Sequence, residues 1–117
     1  MKKAKFYIPL KINGELGTNK IYAGVHWTKR NKDKLSIFLL VRSVIGTKNK
    51  AFENPVKLKM SFKSKLDVSN HSYLFKLIED SLVKLGVLQD DTDKFVKQDI
   101  LQKQNDFEGV IVEIEEM

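Results

Sequence analysis

The 117-residue chain has no cysteine, only two prolines and one tryptophan. Without a thiol, disulfide frameworks, thiolate nucleophiles and cysteine-ligated metals are all excluded. Long apolar runs are missing too. The longest, residues 37–41, is stopped by Arg42 and is far too short to cross a bilayer, so no membrane partner is expected. The N-terminal segment 1–11 starts with the charge of a secretory signal, but Lys5 and Lys11 interrupt any apolar core and no small-residue cleavage site follows. That pattern reads against secretion and for the cytosol. No internal repeat, low-complexity segment or linker divides the chain, so 1–117 is expected to be one domain.

What is present is lysine. Twenty-one Lys and Arg against fifteen Asp and Glu leave a formal net charge of +6, and 42% of residues are hydrophobic. A chain of this size buries roughly two-thirds of its unfolded surface, enough for a core without a structural metal. The charge is uneven: Lys20, Lys29, Arg30, Lys32 and Lys34 form one cluster, Lys57, Lys59, Lys63 and Lys65 a second, and residues 108–117 are acidic. Clustered cations are the footprint of a phosphate-backbone partner, because neutralising phosphates releases condensed counterions. A solvated lysine-rich surface is the equal alternative. His26 and Trp27 lie inside the first cluster, where an aromatic can stack on a base or simply pack on the core.

Hydrophobic periodicity orders the elements as strand, helix, strand, helix, strand, strand. Residues 5–12 read as a first strand, followed by turn material at Asn13, Gly14 and Gly17. Residues 26–45 lack glycine and proline and read as a long helix whose apolar face is Leu35, Phe38, Leu39 and Ile45, with Arg42 at the same spacing. In 56–63, Val56, Leu58, Met60 and Phe62 alternate with Lys57, Lys59, Ser61 and Lys63, which predicts a half-buried strand with a cationic outer face. Ser69 to Ser72 offer N-cap candidates for a second helix carrying Leu74, Leu77, Ile78, Leu82 and Leu85 on one face and closed by Gly86. Strands are predicted at 95–102 and 110–115. The expected fold is α+β, a mixed sheet of about four strands with two helices.

Carboxylates stand at two special places, Asp67 in the turn after a strand and Asp90 and Asp91 in the turn after a helix. Such loops, meeting at one end of a sheet, can hold a hard cation such as Mg²⁺ for phosphodiester hydrolysis. The same residues serve equally as turn formers. His71 has metal-compatible chemistry but no partner histidine near it, the pattern of a structural or solvent-exposed side chain.

In order along the chain come Leu66-Asp67-Val68-Ser69-Asn70, Lys76, Asp80, Gly86 and Asp90-Asp91, with Asn19 ahead of the basic helix and a closing Gly-Val-Ile-Val-Glu-Ile-Glu strand. This arrangement resembles the RusA family of Holliday-junction resolvases, small, often phage-derived, homodimeric Mg²⁺-dependent crossover junction endodeoxyribonucleases. The resemblance runs over most of the chain. It implies that Asp67, Lys76 and Asp91 are catalytic. It implies also that Asp67 and Asp91 bind Mg²⁺ (with Mn²⁺ as a substitute) beside Asp90 and Ser69, and that Asn70 and Asp80 support them. Asn19, Lys20, His26, Lys29, Arg30, Lys32, Lys63 and Lys65 become the expected DNA contacts.

Two features depart from the family pattern. Ser69 stands where the second motif aspartate is expected, which removes a charge from the metal site. Six positions separate Asn70 from Lys76 where the family has three. If the extra residues are helical, Lys76 is displaced by about 4.5 Å and turned out of phase. If they form a loop before the helix, Lys76 keeps its phase with Asp80. The implied activity is paired hydrolysis of a four-way DNA junction by a homodimer. The alternatives are a branched-DNA binding protein of the same fold that does not cut, and a lysine-rich domain for a protein partner.

Overall fold

The computed structural model describes residues 2–18 and 27–117. Four strands, β1 (Lys3–Pro9), β2 (Val56–Phe62), β3 (Val96–Lys103) and β4 (Gly109–Glu116), and two helices, α1 (Trp27–Ile45) and α2 (Ser72–Lys84), follow one another as β1-α1-β2-α2-β3-β4. Short 3₁₀ turns occupy Gly14–Leu16 and Val68–His71. The architecture is α+β, as the periodicity implies. Among the described residues no helix is long and apolar enough to cross a membrane.

The sheet order is β1-β4-β2-β3. β2 and β3 run parallel, joined by α2, and β4 is antiparallel to both β1 and β2. The strict alternation of β2 puts Val56, Leu58, Met60 and Phe62 on the inner face, where each is at most 1% exposed. Val110, Val112 and Ile114 of β4 and Ile8 of β1 extend that face, and Leu74, Leu77, Ile78 and Leu82 of α2 join the same core. Gly86 ends the α2 region at φ +80°, a left-handed conformation that favours glycine.

Several elements differ from the sequence expectation. β1 covers Lys3–Pro9 rather than 5–12, because its length is set by its partner. Pairing runs from Lys3 opposite Glu115 to Pro9 opposite Gly109, the first residue of β4. The buried side of α1 differs as well. Ile37 and Val41 are buried at 3% and 0%, while Leu35 and Leu39, both expected inside, are 58% and 41% exposed. The run Ile-Phe-Leu-Leu-Val carries apolar groups around most of the helix, so spacing fixes no single face and packing against α2 and β1 selects it.

The outer face of β2 is not simply cationic. The acidic C-terminal segment forms β4, which places Glu113 between Lys5 and Lys59, and Glu115 between Lys3 and Lys57. Lys59 Nζ is 3.0 Å from Glu113 Oε2. Opposite charges at facing positions each contribute about 0.2–1 kcal/mol.

Gly109 marks the closest backbone approach in the sheet. A Cβ there would lie 2.0 Å from the Ile8 carbonyl oxygen and 2.8 Å from the Phe107 ring, at φ +147°. Gly109→Ala is expected to lose more than about 3 kcal/mol in urea unfolding. Gly46→Ala, with φ +76° but nothing within 4 Å, should lose about 1 kcal/mol. Equal losses in the two variants would contradict this account.

Candidate functional site

The chain leaving β2 turns into α2 through residues 63–71, the segment that carries the expected motif. Asp67 is extended (φ −65°, ψ 154°) and precedes the Val68–His71 turn, whose Asn70 N–H donates to the Asp67 carbonyl at 3.0 Å. Its side chain caps nothing in that turn. Ser69 is exposed, and His71, which occupies the N-cap position of α2, makes no side-chain cap. The cap comes instead from Thr18: its Oγ1 accepts from Tyr73 N–H at 2.9 Å and pairs with Ser72 Oγ at 2.8 Å. A residue 55 positions upstream of Tyr73 thus satisfies one of the helix's unpaired first-turn donors. Gly17 adjoins this contact, since a Cβ there would meet Asn70 Nδ2 at 3.1 Å.

His71 is structural. It is 1% exposed and stacks on Phe62 with ring centroids 4.6 Å apart. Nδ1 lies 3.0 Å from the Val68 carbonyl oxygen, which can only accept, so Nδ1 carries the proton and Nε2 accepts from Ser64 Oγ at 2.6 Å. Burial pushes the imidazole pKa down, the Val68 carbonyl opposes that, and Lys103 adds to the lowering. The ring is therefore a neutral brace between Ser64 and Val68.

The Val68–His71 turn absorbs the extra residues before α2 begins, so Lys76 keeps its helical phase with Asp80. Lys76 Nζ is 3.3 Å from both Glu79 Oε1 and Asp80 Oδ1, and it also contacts Asp91 Oδ2. The chain after α2 doubles back to deliver Asp91. Phe52 N–H donates to the Val87 carbonyl at 3.2 Å, Gln89 Nε2 donates to the Phe52 carbonyl at 3.0 Å, and Asp91 N–H donates to Asp90 Oδ1 at 2.8 Å.

Two further carboxylates belong to this cluster and have no counterpart in the sequence expectation. Glu79 lies one helical turn after Lys76 and is only 4% exposed. Asp99 is opposite Leu58 in β3 and so shares the helix-covered face. A bulge at Lys97 puts it there. Val56 pairs with Val96 but Lys57 pairs with Gln98, and the one-residue shift exchanges the two faces of β3. The local sequence signal for Glu79 is its position four residues after the buried Phe75.

Charge in the cluster is unbalanced: three carboxylates contact the Lys76 ammonium, and Asp99 adds a fourth negative charge near enough to act on Glu79. Burial raises the Glu79 pKa, the charge of Asp99 raises it further, Lys76 offsets part of the rise, and the carboxyl sits at about 7. Asp99 is raised by burial, with Lys76 opposing and Asp91 adding to the rise. For Lys76, partial burial acts downward, but hydrogen bonds to Asp91, Glu79 and Asp80 and the Glu79 charge hold the ammonium well above its ordinary value. Asp91 is lowered chiefly by its bond to Lys76.

Beside the cluster, a groove of about 290 Å³ runs between α1 and α2, lined by Lys34, Phe38, Asp80, Asp90 and Asp91 among others. Its carboxylates are hard oxygen donors of the kind Mg²⁺ takes. Among the described residues no three His, Asp or Glu side chains are gathered as a metal-ligand set. The structure brings together Lys76, Asp80 and Asp91, whereas Asp67 and Ser69 are exposed in the preceding segment and share no side-chain hydrogen bond or ion pair with them among the described residues.

The expected DNA contacts are divided. Lys29 is committed internally, its Nζ donating to the Glu15 carbonyl and to Asp33 Oδ2, both at 2.8 Å. Asp33 also accepts from Tyr73 Oη at 2.9 Å, and burial together with that bond pushes the phenol above its ordinary value. Arg30, Lys32, Lys63 and Lys65 are exposed. Asn19, Lys20 and His26 lie outside the described residues.

Two predictions follow from the cap and from the buried carboxyl. Thr18→Val should cost about 1 kcal/mol in denaturant unfolding, and Ser69→Ala only a few tenths; the reverse order would return the cap to Ser69. The Glu79 carboxyl sits at about 7 in the folded chain, against an ordinary value of 4.5. As pH rises between these values the unfolded chain ionises first, so folding stability falls across that window and levels off above it. Glu79→Gln should remove that fall, a difference on the order of 3 kcal/mol at pH 8. Parallel pH–stability curves for the two proteins would refute it.

Compared with known protein families and with curated proteins, the chain matches no family model and no curated sequence.

Proposed function

We propose that the chain is a Mg²⁺-dependent, structure-selective endodeoxyribonuclease that cuts branched DNA, acting in the cytosol as a homodimer that places one site on each of two strands. The observation that carries this reading is the conjunction of Lys76, Asp80 and Asp91. The insertion after Asn70 is taken up outside α2, and the three side chains implied by the resemblance meet at one point.

Lys76 is a permanent cation whose Nζ is shared among Asp91, Glu79 and Asp80. A phosphate entering beside it can replace one carboxylate partner, which positions the scissile group and offsets charge that grows on its oxygens. Glu79, buried behind Lys76, orients the ammonium and does not itself reach solvent. Asp91, with Asp90 and Asp80 beside it, would hold the ion, whereas Asp67 and Ser69, implied by the resemblance, stay exposed in the preceding segment and share no side-chain contact with them among the described residues. Asp80, Asp90 and Asp91 are hard oxygen donors of the kind a divalent cation takes, but among the described residues no three such side chains are gathered as a ligand set. When bound, Mg²⁺ supplies Lewis-acid stabilisation of phosphate oxygens and a water of lowered pKa.

A second reading keeps the DNA and loses the cut. It is favoured by Ser69 in place of a carboxylate and by Lys76 already neutralising Asp91. A gel assay on a labelled four-way junction and a matched duplex, each with Mg²⁺ or EDTA, separates the two. The nuclease is expected to nick the junction symmetrically only with Mg²⁺. Asp67→Asn and Asp91→Asn should reduce that activity by about a hundredfold or more, and Ser69→Asp should raise it. Junction binding without cleavage in Mg²⁺ or Mn²⁺ would establish the second reading.

A further inference from the structure

A larger cavity, of about 520 Å³, shares no lining residue with the α1–α2 groove. It opens at the end of the sheet where β1, β2 and β3 finish and β4 begins. Segments 11–14 and 63–66 form its walls together with Asn105 and Glu108. This is the carboxyl end of the parallel pair β2 and β3, the side of an α/β unit on which ligands are commonly held.

Lys11, Lys63 and Lys65 line the cavity, with Glu108 as the only carboxylate among the described lining residues. None of the three lysines forms an ion pair with a described residue, in contrast to Lys29, Lys59 and Lys76. Unpaired ammonium groups converging on a cavity make an anion site. The walls are fixed in advance by separate hydrogen bonds. Asn13 Oδ1 accepts from Glu15 N–H at 2.9 Å. Ser64 Oγ accepts from Leu66 N–H at 3.1 Å while donating to the buried His71. Gln104 Oε1 accepts from Asp106 and Phe107 N–H at 2.7 and 2.9 Å, which holds the turn bearing Asn105.

The lining also includes Ile12 and Leu66. An apolar wall beside unpaired lysines suits a nucleotide, with its phosphate on the lysines and its base or sugar on the aliphatic side chains. The Asn105 amide is available for a base edge. A duplex is far wider than this cavity, so only a nucleotide released from pairing can enter. We propose that the cavity takes an unpaired nucleotide of a DNA strand at or next to a branch point. This inference rests on the reading of branched DNA as substrate.

The test is fluorescence anisotropy in EDTA at about 50 mM salt, with a labelled single strand of about 12 nucleotides, a matched duplex, a four-way junction, and a free mononucleotide as competitor. The proteins are the wild type, Lys11→Glu, the double variant Lys63→Glu/Lys65→Glu, its milder form Lys63→Gln/Lys65→Gln, and Lys97→Glu as an equal charge change on β3. Circular dichroism confirms the fold of each, and all four substituted lysines are exposed. Single-strand affinity is expected to fall about tenfold or more in the two Glu cavity variants, by a smaller factor in the Gln form, and less than about threefold in Lys97→Glu. Duplex affinity should change much less in the cavity variants than single-strand affinity. Equal losses for single strand and duplex would overturn the proposal, as would cavity variants that bind the single strand like wild type. A mononucleotide that competes as well as the strand would overturn the strand as occupant. Failure of wild type to bind any of the DNAs defeats the nuclease reading itself, whereas junction binding that no cavity variant alters defeats the cavity alone.

Discussion

The sheet depends on β4. Among the described residues β1 pairs only with β4, and β2 reaches β1 only through it, so residues 109–116 join β1 to the parallel β2-α2-β3 unit. Two fits make that position possible. Gly109 lets the backbone come against the Ile8 carbonyl at the start of the strand, and Glu113 and Glu115 supply the charge that the lysines on either side require. On the inner face the same strand contributes Val110, Val112 and Ile114 to the core under the two helices. Sequence, pairing and packing thus meet in one eight-residue segment.

The Lys76 cluster is a product of that scaffold. α2 bridges two parallel strands and holds Lys76, Glu79 and Asp80 along one side, while β3 turns Asp99 toward them from beneath. Burying Glu79 next to two other acids is costly, and the protein offsets the cost with a shared ammonium and a raised Glu79 pKa rather than by removing the acid. The arrangement is electrostatically tense, and tension of this kind is concentrated at functional sites. Thr18 fixes the start of α2 and Tyr73 ties it to Asp33 of α1, so the helix carrying Lys76 is anchored at the end nearest the motif.

The order of the elements was legible because β2, β4 and α2 have clean periods, and α2 is closed by a glycine that tolerates the left-handed backbone. The Lys76–Asp80 contact was legible for the same reason, since i and i+4 share a helix face. Other features depended on contacts between distant residues. The buried side of α1 was chosen by its neighbours, the end of β1 by the length of β4, and the cap of α2 by Thr18. Asp99 was hidden by a single bulge residue that reverses which side of β3 faces the core, a feature that alternation counted from the sequence cannot register. Lys29 stood in a basic cluster and reads as a phosphate contact until the Glu15 carbonyl and Asp33 are placed beside it.

The ladder on the open face of the sheet bears on how the strands find their places. β1 and β2 both present lysines on that face, and both are synthesised before β4. Direct pairing of these two strands in the same facing would set Lys3 and Lys5 against Lys57 and Lys59, which like-charge repulsion disfavours. With Glu113 and Glu115 between them the two lysine-bearing strands are charge-matched, so the central position is the neutral place for β4. The lysines that make this chain look like a ligand for phosphate therefore also disfavour the wrong strand order, in which β1 and β2 would pair directly and β4 would be left outside.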